Sequence, residues 1–355
     1  MRKIRHLLLS IPIVLLLWAG QSPGDAAADD TLSAEVEILK EAVADLSTRL
    51  DRQLVITGYY DFEYLTDNRS GSYGHFRQHH ISLFFSRTWD RWRLFTELEF
   101  EDGVELSGSG GSASGNGTVK LEHGWLEYTQ SENLVVRAGK LLLPQYWNVN
   151  HYPNVVLSTN RPLMVRDVFP SSTTGIMVHG FAFAGAVSST YHAYVGNGLA
   201  ADASKTDDNE NKAVGGHLAI HLAEVVRGLS RFDIAITHHS ENSPSVGGAL
   251  DVSGAELQLA NHRFELLAEY AARLTGPDRE GFYVQPSILL TDRVNGFYRY
   301  DYHDDGSDAR TRHTVGFNHR PVPNVSLKLE VNTTSHTTST AEDCQGLAAS
   351  VALFF

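Results

Sequence analysis

Histidine is the first residue type to consider for a chemical role, because the sequence contains 17 histidines. Two adjacent pairs, His79-His80 and His238-His239, offer imidazole rings of the kind that bind metal ions. Adjacent residues of a β-strand point to opposite faces, so neither pair is expected to chelate a metal by itself. The Cys and His spacings of structural zinc sites are also missing from the sequence. The sequence therefore predicts no metal and no cofactor, and the histidines are interpreted as polar side chains facing a watery interior.

Hydrolysis by a serine nucleophile is the enzyme activity that the residue types could support. The run His239-Ser240-Glu241-Asn242 contains a nucleophile, a base and an amide. It lies at the start of a predicted loop, whereas a nucleophile and its base need fixed mutual geometry. The sequence also lacks the GxSxG turn that presents such a serine. We therefore predict that the chain is not an enzyme, and loss of activity in S240A would be the test of the lipase-like alternative.

Charged side chains in two parts of the chain could instead act on passing ions. Glu97, Glu99 and Glu101 alternate with other residues, so they share one face of a predicted strand. A second group is mostly basic and consists of Arg137, Lys140, Arg161, Arg166 and Asp167. Carboxylates that face a basic cluster would create a transverse field, although each arginine could equally form an ion pair that only holds a loop in place.

The elements that carry these residues are predicted by apolar residues at every second position, starting at Leu54. Val325, Leu327, Leu329 and Val331, for example, alternate with polar residues. Sixteen segments show this pattern, near 54–65, 76–87, 91–101, 119–129, 133–140, 174–181, 186–196, 213–222, 230–239, 250–261, 263–273, 281–290, 293–303, 311–320, 325–336 and 347–355. Polar-in, apolar-out strands of about ten residues predict an all-β, transmembrane antiparallel β-barrel with a water-filled lumen.

The lengths of the connections support this fold class. Connections after even-numbered strands are mostly short, such as 88–90 and 261–262. Those after odd-numbered strands are generally longer, such as 101–118 and 240–249. Short turns at one rim and long loops at the other are typical of such barrels. The competing interpretation is a soluble all-β protein that buries its apolar faces against each other.

The chain ends with the run LAASVALFF, from Leu347 to Phe355. Alternate residues of this run are apolar and the last one is aromatic. The run resembles the closing strand of a bacterial outer-membrane β-barrel, and the resemblance implies that the barrel-insertion machinery recognises Phe355. Trp89, Trp92, Tyr128, Tyr298, Tyr300 and Tyr302 near strand ends are interpreted as aromatic residues at the membrane interfaces.

Residues 1–28 are predicted to be a cleaved signal peptide. Arg2, Lys3 and Arg5 precede an apolar run from Leu7 to Trp18 that is too short to span a bilayer. Export is consistent with a barrel in the bacterial outer membrane. The net charge of −13 excludes a nucleic-acid binder. The single cysteine, Cys344, is interpreted as a free thiol.

Residues 29–52 are predicted to form a short coiled-coil helix in the periplasm. Leu32, Leu39 and Leu46 repeat every seven residues. Four residues after each leucine comes one further apolar residue, in order Val36, Val43 and Leu50. This heptad pattern favours association, with a slight preference for dimers. The alternative is a lone amphipathic helix that lies on the mouth of the barrel.

The third long connection, residues 141–173 within the barrel region 53–355, differs from the other loops in its apolar content. Its apolar residues include Trp147, Leu163 and Phe169, and four prolines stiffen its backbone. Apolar surface of this extent should pack against something, and the inner wall of a wide barrel is available. We therefore expect this loop to fold inward and narrow the pore.

Here the sequence resembles a known family. The run from Leu126 through Arg137-Ala138-Gly139-Lys140, Asn160-Arg161-Pro162-Leu163 and Phe169-Pro170 to Thr174-Gly175 resembles the phosphate-selective porin O and P family. The resemblance implies a sixteen-stranded, trimeric porin with an inward third loop, and some members carry an N-terminal coiled coil. It also implies that anion selectivity depends on arginines and a lysine cluster along the pore.

This chain departs from that pattern because its predicted barrel contains few lysines and a row of glutamates. The expected function is a water-filled channel for passive diffusion of small hydrophilic solutes and ions. The alternative within the class is an anion- or phosphate-selective porin. The alternative of another class is a plugged structural barrel that tethers partners through its coiled coil. The expected partners are outer-membrane lipids, two further copies of the chain in a homotrimer, and the solutes, without nucleic acid.

Overall fold

A computed structural model describes residues 38, 40–41, 53–103, 105–106, 113–114, 117–199, 206–207, 209–244, 247–338 and 342–355. Sixteen antiparallel strands close into a barrel, which confirms the predicted all-β antiparallel barrel and its strand count. Two short strands, β4 and β5, pair with each other between β3 and β6. In chain order the strands are β1 (Val55–Asp67), β2 (His75–Trp89), β3 (Trp92–Glu101), β4 (Glu105–Leu106), β5 (Ala113–Ser114), β6 (Thr118–Ser131), β7 (Leu134–Leu142), β8 (Ser172–Ala184), β9 (Val187–Gly196), β10 (Ala213–His221), β11 (Arg231–Ser243), β12 (Gly248–Ala260), β13 (Phe264–Arg273), β14 (Glu280–Thr291), β15 (Val294–Asp304), β16 (Ala309–His319), β17 (Val325–His336) and β18 (Cys344–Phe354).

The barrel lies within a compact unit formed by residues 54–355. The predicted signal peptide, 1–28, and the predicted coiled coil, 29–52, lie outside the described residues except for Ile38, Lys40 and Glu41, which are helical. Both therefore stay predictions. One further helix, α1 (Tyr146–Asn150), follows β7. Among the described residues, none of the helices is both long and apolar enough to cross a membrane.

Alternation along the strands separates an apolar outer face from a polar inner face. On β17, Leu327, Leu329 and Val331 are exposed on the outside, whereas Lys328 and Glu330 are buried on the inside. The same alternation holds in β18, where Val351 and Leu353 point outward and Ala352 is buried. Because the strand period is two, a one-residue slip would reverse both faces, so this pattern fixes the register of the sheet.

The barrel closes between its first and last strands. β1 pairs with β18 from Tyr59, opposite Phe354, to Asp67, opposite Gly346. Beyond the last pair, Phe355 and Gly58 exchange two backbone hydrogen bonds, of 2.8 and 2.9 Å. A side chain at Gly58 would meet the Phe355 ring and the Ser82 carbonyl, so only glycine fits at this closure point.

The two rims of the barrel differ in their connections. The turn rim contains tight hairpins such as Trp89 to Trp92, where Asp90 adopts a positive φ of 52°. The opposite, loop rim contains the connections 102–117, 143–171 and 197–212. The expected loop at 240–249 is shorter in the structure, because the β11–β12 ladder continues to the pair of Ser243 with Gly248.

Two β-bulges change which residues face the interior. In β2, Asp61 pairs with His80 and Phe62 with Gln78, so His79 is an extra residue in the strand. In β6, the extra residue is Glu122, between the partners of Glu97 and Leu98. The expectation that His79 and His80 point to opposite faces is therefore wrong, because the bulge turns both rings inward. The other pair behaves as expected, with His239 buried inside and His238 exposed.

Candidate functional site

The connection between β7 and β8, residues 143–171, is called the inner loop here because it lies inside the barrel. Its residues Trp147, Val168 and Phe169 are almost fully buried. They belong to one apolar cluster with wall residues that include Leu267 and Tyr283. Burial of this apolar face supplies the driving force that holds the segment against the wall. The core of the protein is therefore the contact between the inner loop and the barrel wall.

Basic side chains of the wall bind the backbone carbonyls of the inner loop. Arg299 donates to the carbonyl of Asn160 at 2.9 Å and Lys328 to that of Ser158 at 3.0 Å. Arg273 donates to the Asp167 and Val168 carbonyls at 2.7 and 3.1 Å. Arg312 and Arg320 bind the carbonyls of Arg161 and Val155 in the same way. We call these five residues, Arg273, Arg299, Arg312, Arg320 and Lys328, the basic wall.

Acidic side chains of the wall bind the backbone amides of the same loop. Glu330 accepts hydrogen bonds from the amides of Thr159 and Asn160 at 2.9 and 2.8 Å. Glu269 accepts one from the amide of Trp147 at 2.9 Å. A long segment with little regular structure has many backbone groups to satisfy once it is buried. The charged side chains of the lumen wall bind several of these groups, which stabilises the loop inside the barrel.

The predicted acidic residues Glu97, Glu99 and Glu101 line the lumen side of β3. Glu97 is fully buried and accepts hydrogen bonds from Ser82 at 2.6 Å and from Tyr152 of the inner loop at 3.3 Å. Burial, with Glu97 beside it, raises the pKa of Tyr152, so this hydroxyl stays protonated at neutral pH. The inner loop therefore touches the acidic side of the barrel as well as its basic side.

Lys120 lies over the outer part of this acidic row. Its ammonium is 2.7 Å from Glu99 and 3.3 Å from Glu101. Arg77 of β2 binds Glu101 at 3.2 Å. The carboxylates are thus partly neutralised by cations of the neighbouring strands, which weakens their field in the lumen.

Two of the predicted basic residues face the acidic row from the inner loop. Arg166 has a φ of 67° and forms an ion pair with Glu122, the bulge residue of β6. Arg161 is exposed, and its guanidinium makes no hydrogen bond within the described part of the chain. The structure therefore brings Arg161, Arg166 and the glutamates of β3 and β6 to one side of the lumen.

Of the other three predicted residues, Arg137 and Asp167 lie elsewhere, whereas Lys140 lies near Glu122 and Arg166. Arg137 binds Glu127 at 2.6 Å and stacks on Trp125, with its guanidinium carbon 4.0 Å from the ring centre. Lys140 donates to the carbonyl of Leu121 at 2.6 Å.

Asp167 of the inner loop faces the far side of the barrel, where it pairs with Arg279 and lies 2.5 Å from His303. The hydrogen bond from His303 lowers the pKa of Asp167, which keeps the carboxylate charged. The five candidates are thus divided among three places. Lys140, Arg161 and Arg166 lie near Glu122, whereas Arg137 and Asp167 lie apart from them and from each other.

Sequence reasoning did not single out the arginines of the basic wall or Glu122. Arg310 and Arg312 occur two residues apart on one strand face, and this spacing was a usable signal for inward-pointing arginines. Glu122 gave no such signal, because strict alternation assigns it to the face opposite His123. The β6 bulge places both residues inside, where both are buried.

The run that suggested a serine nucleophile is divided between the two faces of β11. His239 is buried in the lumen, where its Nδ1 lies 2.9 Å from the Tyr194 hydroxyl. Ser240 is the next residue along the strand and pairs with Asp251 of β12. Neighbouring strand residues point to opposite faces, so Ser240 and His239 do not form a nucleophile–base pair.

Cavities lie on both sides of the inner loop. One of about 270 Å³ lies beside Trp147 and Val155 and is also lined by Asn295 and Arg320. Another, of about 380 Å³, lies beside Asn160 and Leu163 and is also lined by Arg310. Residues of the inner loop therefore line both cavities.

Comparisons with known proteins show a shared fold and no closer relationship. No protein-family model and no curated protein sequence matches this chain. Among solved structures, an anion-selective porin from Comamonas acidovorans matches with a TM-score of 0.63 and 13% identity, over 85% of this chain and 99% of that one. OprB of Pseudomonas putida at high pH matches with a TM-score of 0.64 and 11% identity, over 87% and 96%. OmpF of Salmonella typhi in complex with daunomycin matches with a TM-score of 0.60 and 12% identity, over 86% and 98%.

Proposed function

We propose that this chain is an outer-membrane porin, a water-filled channel for passive diffusion of small hydrophilic solutes and ions. The observation that carries the proposal is a closed sixteen-stranded barrel whose wall binds an inner loop on several sides. The solved structures with this barrel fold include one titled an anion-selective porin, which supports the class of function.

The outer surface supports a membrane location. Large apolar side chains such as Ile236, Val331 and Phe317 are exposed at alternate strand positions around the barrel. Exposing such an apolar surface to water costs free energy, whereas contact with the hydrocarbon core of a bilayer does not. Trp89 and Trp92 are exposed on the turn rim, where interfacial aromatics are expected. We place the barrel in the bacterial outer membrane with its lipids as partners and its N-terminal segment in the periplasm.

Selectivity in this proposal comes from size and from charge. The inner loop sets the width of the pore, and the lumen charges set how ions partition into it. Every residue of the basic wall donates to a loop carbonyl, and the glutamates of β3 have cations beside them. The opposing fields are therefore moderate, which favours general diffusion over tight binding of one solute.

Anion selectivity is the second candidate. Arg310, Arg312 and Lys328 on the inner faces of β16 and β17 put several fixed cations along one side of the lumen. Several fixed cations together attract an anion where a single exposed one does not. Preference for chloride over potassium would support this candidate.

A plugged structural barrel is the candidate of another class, and the contacts of the inner loop make it worth testing. The loop reaches Glu97 on one side and Glu330 and Asp301 on the other. A barrel closed by such a segment would pass no ions and could act as an anchor for partners.

Single-channel recording in a planar bilayer tests the proposal. The mature chain, purified in detergent and shown to be folded by heat-modifiable gel mobility, is added under a KCl gradient. Discrete current steps support the porin, and their reversal potential gives the ion preference. Three equal substeps would support the homotrimer that we propose. Silence from folded protein would overturn the porin and favour the plugged barrel.

A further inference from the structure

A cluster of histidines and carboxylates on the lumen wall is not needed for diffusion through the pore. It lies where the bulge of β2 meets β1 and β3, and it contains Asp61, His79, His80, Glu99 and Glu101. We infer that His79, His80, Glu99 and Glu101 bind a divalent transition-metal ion of the zinc type, with Asp61 orienting both histidines. This inference needs only the folded barrel and does not depend on whether the pore conducts.

The bulge brings the two imidazole rings together. Their ring centres are 3.5 Å apart, and both rings contact the same carboxylate. The Nδ1 atoms of His79 and His80 lie 3.2 and 3.0 Å from the two oxygens of Asp61, and the Nδ1 atom of His79 also lies 3.0 Å from Glu63. A carboxylate that binds the Nδ1–H of a histidine fixes the ring and presents the Nε2 lone pair, as in many metal sites.

Both Nε2 atoms then point toward glutamates of β3. The Nε2 atom of His80 is 3.8 Å from Glu99 and that of His79 is 3.8 Å from Glu101. These distances are too long for hydrogen bonds. Two metal–ligand bonds of about 2.1 Å at a tetrahedral angle span about 3.4 Å. The ligand atoms of His80, Glu99 and Glu101 all lie within 4.8 Å of one another, so side-chain adjustments would place one ion between them, and His79 would join as the fourth ligand from its position beside Glu101.

The donor set indicates which ion fits. Imidazole nitrogen with carboxylate oxygen suits zinc and related transition metals, whereas calcium and magnesium prefer oxygen alone. The side chains of His79 and Glu101 are 17% and 25% exposed, so an ion in the lumen can reach the site.

Lys120 competes for the same carboxylates, as do Arg77 at Glu101 and the Tyr59 hydroxyl at Glu99. Its ammonium occupies one oxygen of Glu99 at 2.7 Å and approaches Glu101 at 3.3 Å. A metal ion would therefore have to share these glutamates with the lysine or displace it. Removing this cation should strengthen metal binding, and this consequence depends on Glu99 and Glu101 being ligands.

Isothermal titration of the detergent-folded, tag-free protein with zinc chloride, after removal of metal by a chelator, tests the inference. We expect one zinc ion per chain, and a loss of affinity of at least about 100-fold in the double variant His79→Gln/His80→Gln. The matched control is His192→Gln, which removes another lumen histidine outside the cluster and should change the affinity less than about twofold. Equal zinc binding by the wild type and the double variant would overturn the site.

The variant Lys120→Met tests the carboxylate half of the site and leaves both histidines intact. We expect it to bind zinc more tightly than the wild type, by several-fold. Unchanged or weaker binding would overturn the role of Glu99 and Glu101. Heat-modifiable gel mobility verifies folding in every variant. If the double variant does not fold, the zinc affinity of Lys120→Met and the zinc stoichiometry of the wild type still test the metal site. A chain that conducts ions and binds no zinc would refute only this inference.

Discussion

At the residue scale, the arginines of the lumen divide into those that hold the structure and those that face water. Arg299 is fully buried and binds Asp301 at 2.9 Å and Ser158 at 2.6 Å. Arg161 is exposed, and its guanidinium has no hydrogen-bond partner in the described part of the chain. The same residue type therefore has two roles, and burial and partners distinguish them.

Replacing Arg161 by alanine should shift the ion preference of the channel toward cations. The change removes an exposed positive charge from the side of the lumen that already carries Glu99 and Glu101. The measurement is the reversal potential in a planar bilayer under a KCl gradient. Arg137→Ala is the matched control, because its guanidinium is held by Glu127 and Trp125. An equal shift in both variants, or none in Arg161→Ala, would contradict the role given to Arg161.

Replacing Arg299 by methionine should lower the free energy of unfolding by on the order of 3 kcal/mol. The change leaves the buried carboxylate of Asp301 without its closest cation, and an uncompensated buried charge is costly. Urea unfolding in detergent, followed by tryptophan fluorescence, measures the loss. Arg231→Met removes an exposed arginine paired with Asp233 and should cost only about 0–1 kcal/mol. Similar losses in the two variants would show that the Arg299 pair is not structural.

At the element scale, the inner loop is held by packing and by hydrogen bonds of different kinds. Its apolar side chains pack on the wall, and its backbone binds charged side chains. The bulges in β2 and β6 act on the same region, because they add His79 and Glu122 to the inner face. Bulges of this kind redirect side chains without interrupting the sheet.

Replacing residues 144–170 by a short Gly-Ser linker should raise the single-channel conductance several-fold. The strands β7 and β8 stay complete in this variant, and the segment that lies inside the barrel is removed. Replacing residues 276–278, between β13 and β14, by Gly-Ser-Gly is the control on another connection of the loop rim and should leave the conductance nearly unchanged. Unchanged conductance after the larger replacement would mean that the inner loop does not limit the current.

At the scale of the whole molecule, closure of the barrel depends on its two ends meeting. Sixteen strands leave no free sheet edge once β1 pairs with β18. The last two hydrogen bonds of this seam join Gly58 and Phe355. In a membrane these backbone groups would have no water to bind, so complete closure is required.

Deleting Phe355 should reduce the yield of folded barrel in the outer-membrane fraction. The deletion removes the two backbone hydrogen bonds to Gly58, worth on the order of 2 kcal/mol together, and the terminal aromatic ring. Gel mobility with and without heating measures the folded fraction. Phe183→Ala, which removes an exposed aromatic of β8, is the control and should assemble normally. Normal assembly of the deletion variant would show that the terminal residue is dispensable.

The fold was predictable from sequence because strand alternation is a local property. The alternation of polar and apolar residues within each strand shows which side chains face the lumen and which face outward. The lengths of the connections indicate which strand ends lie at which rim. For this reason, all sixteen predicted strands and the closing role of the C-terminal segment agree with the structure. The acidic face of β3 was predictable for the same reason, since Glu97, Glu99 and Glu101 lie two residues apart.

The arrangement of the site was decided only by the tertiary structure. A bulge depends on the pairing of two strands, so strict alternation does not predict that His79 shares the inner face with His80, or Glu122 with His123. The partners of Arg161, Arg137 and Asp167 lie far away in the sequence, and periodicity carries no information about such contacts. Sequence alone thus determined which residues face inward along regular strands. Which of them meet across the lumen depended on barrel closure and on the path of the inner loop, because both are set by packing between distant parts of the chain.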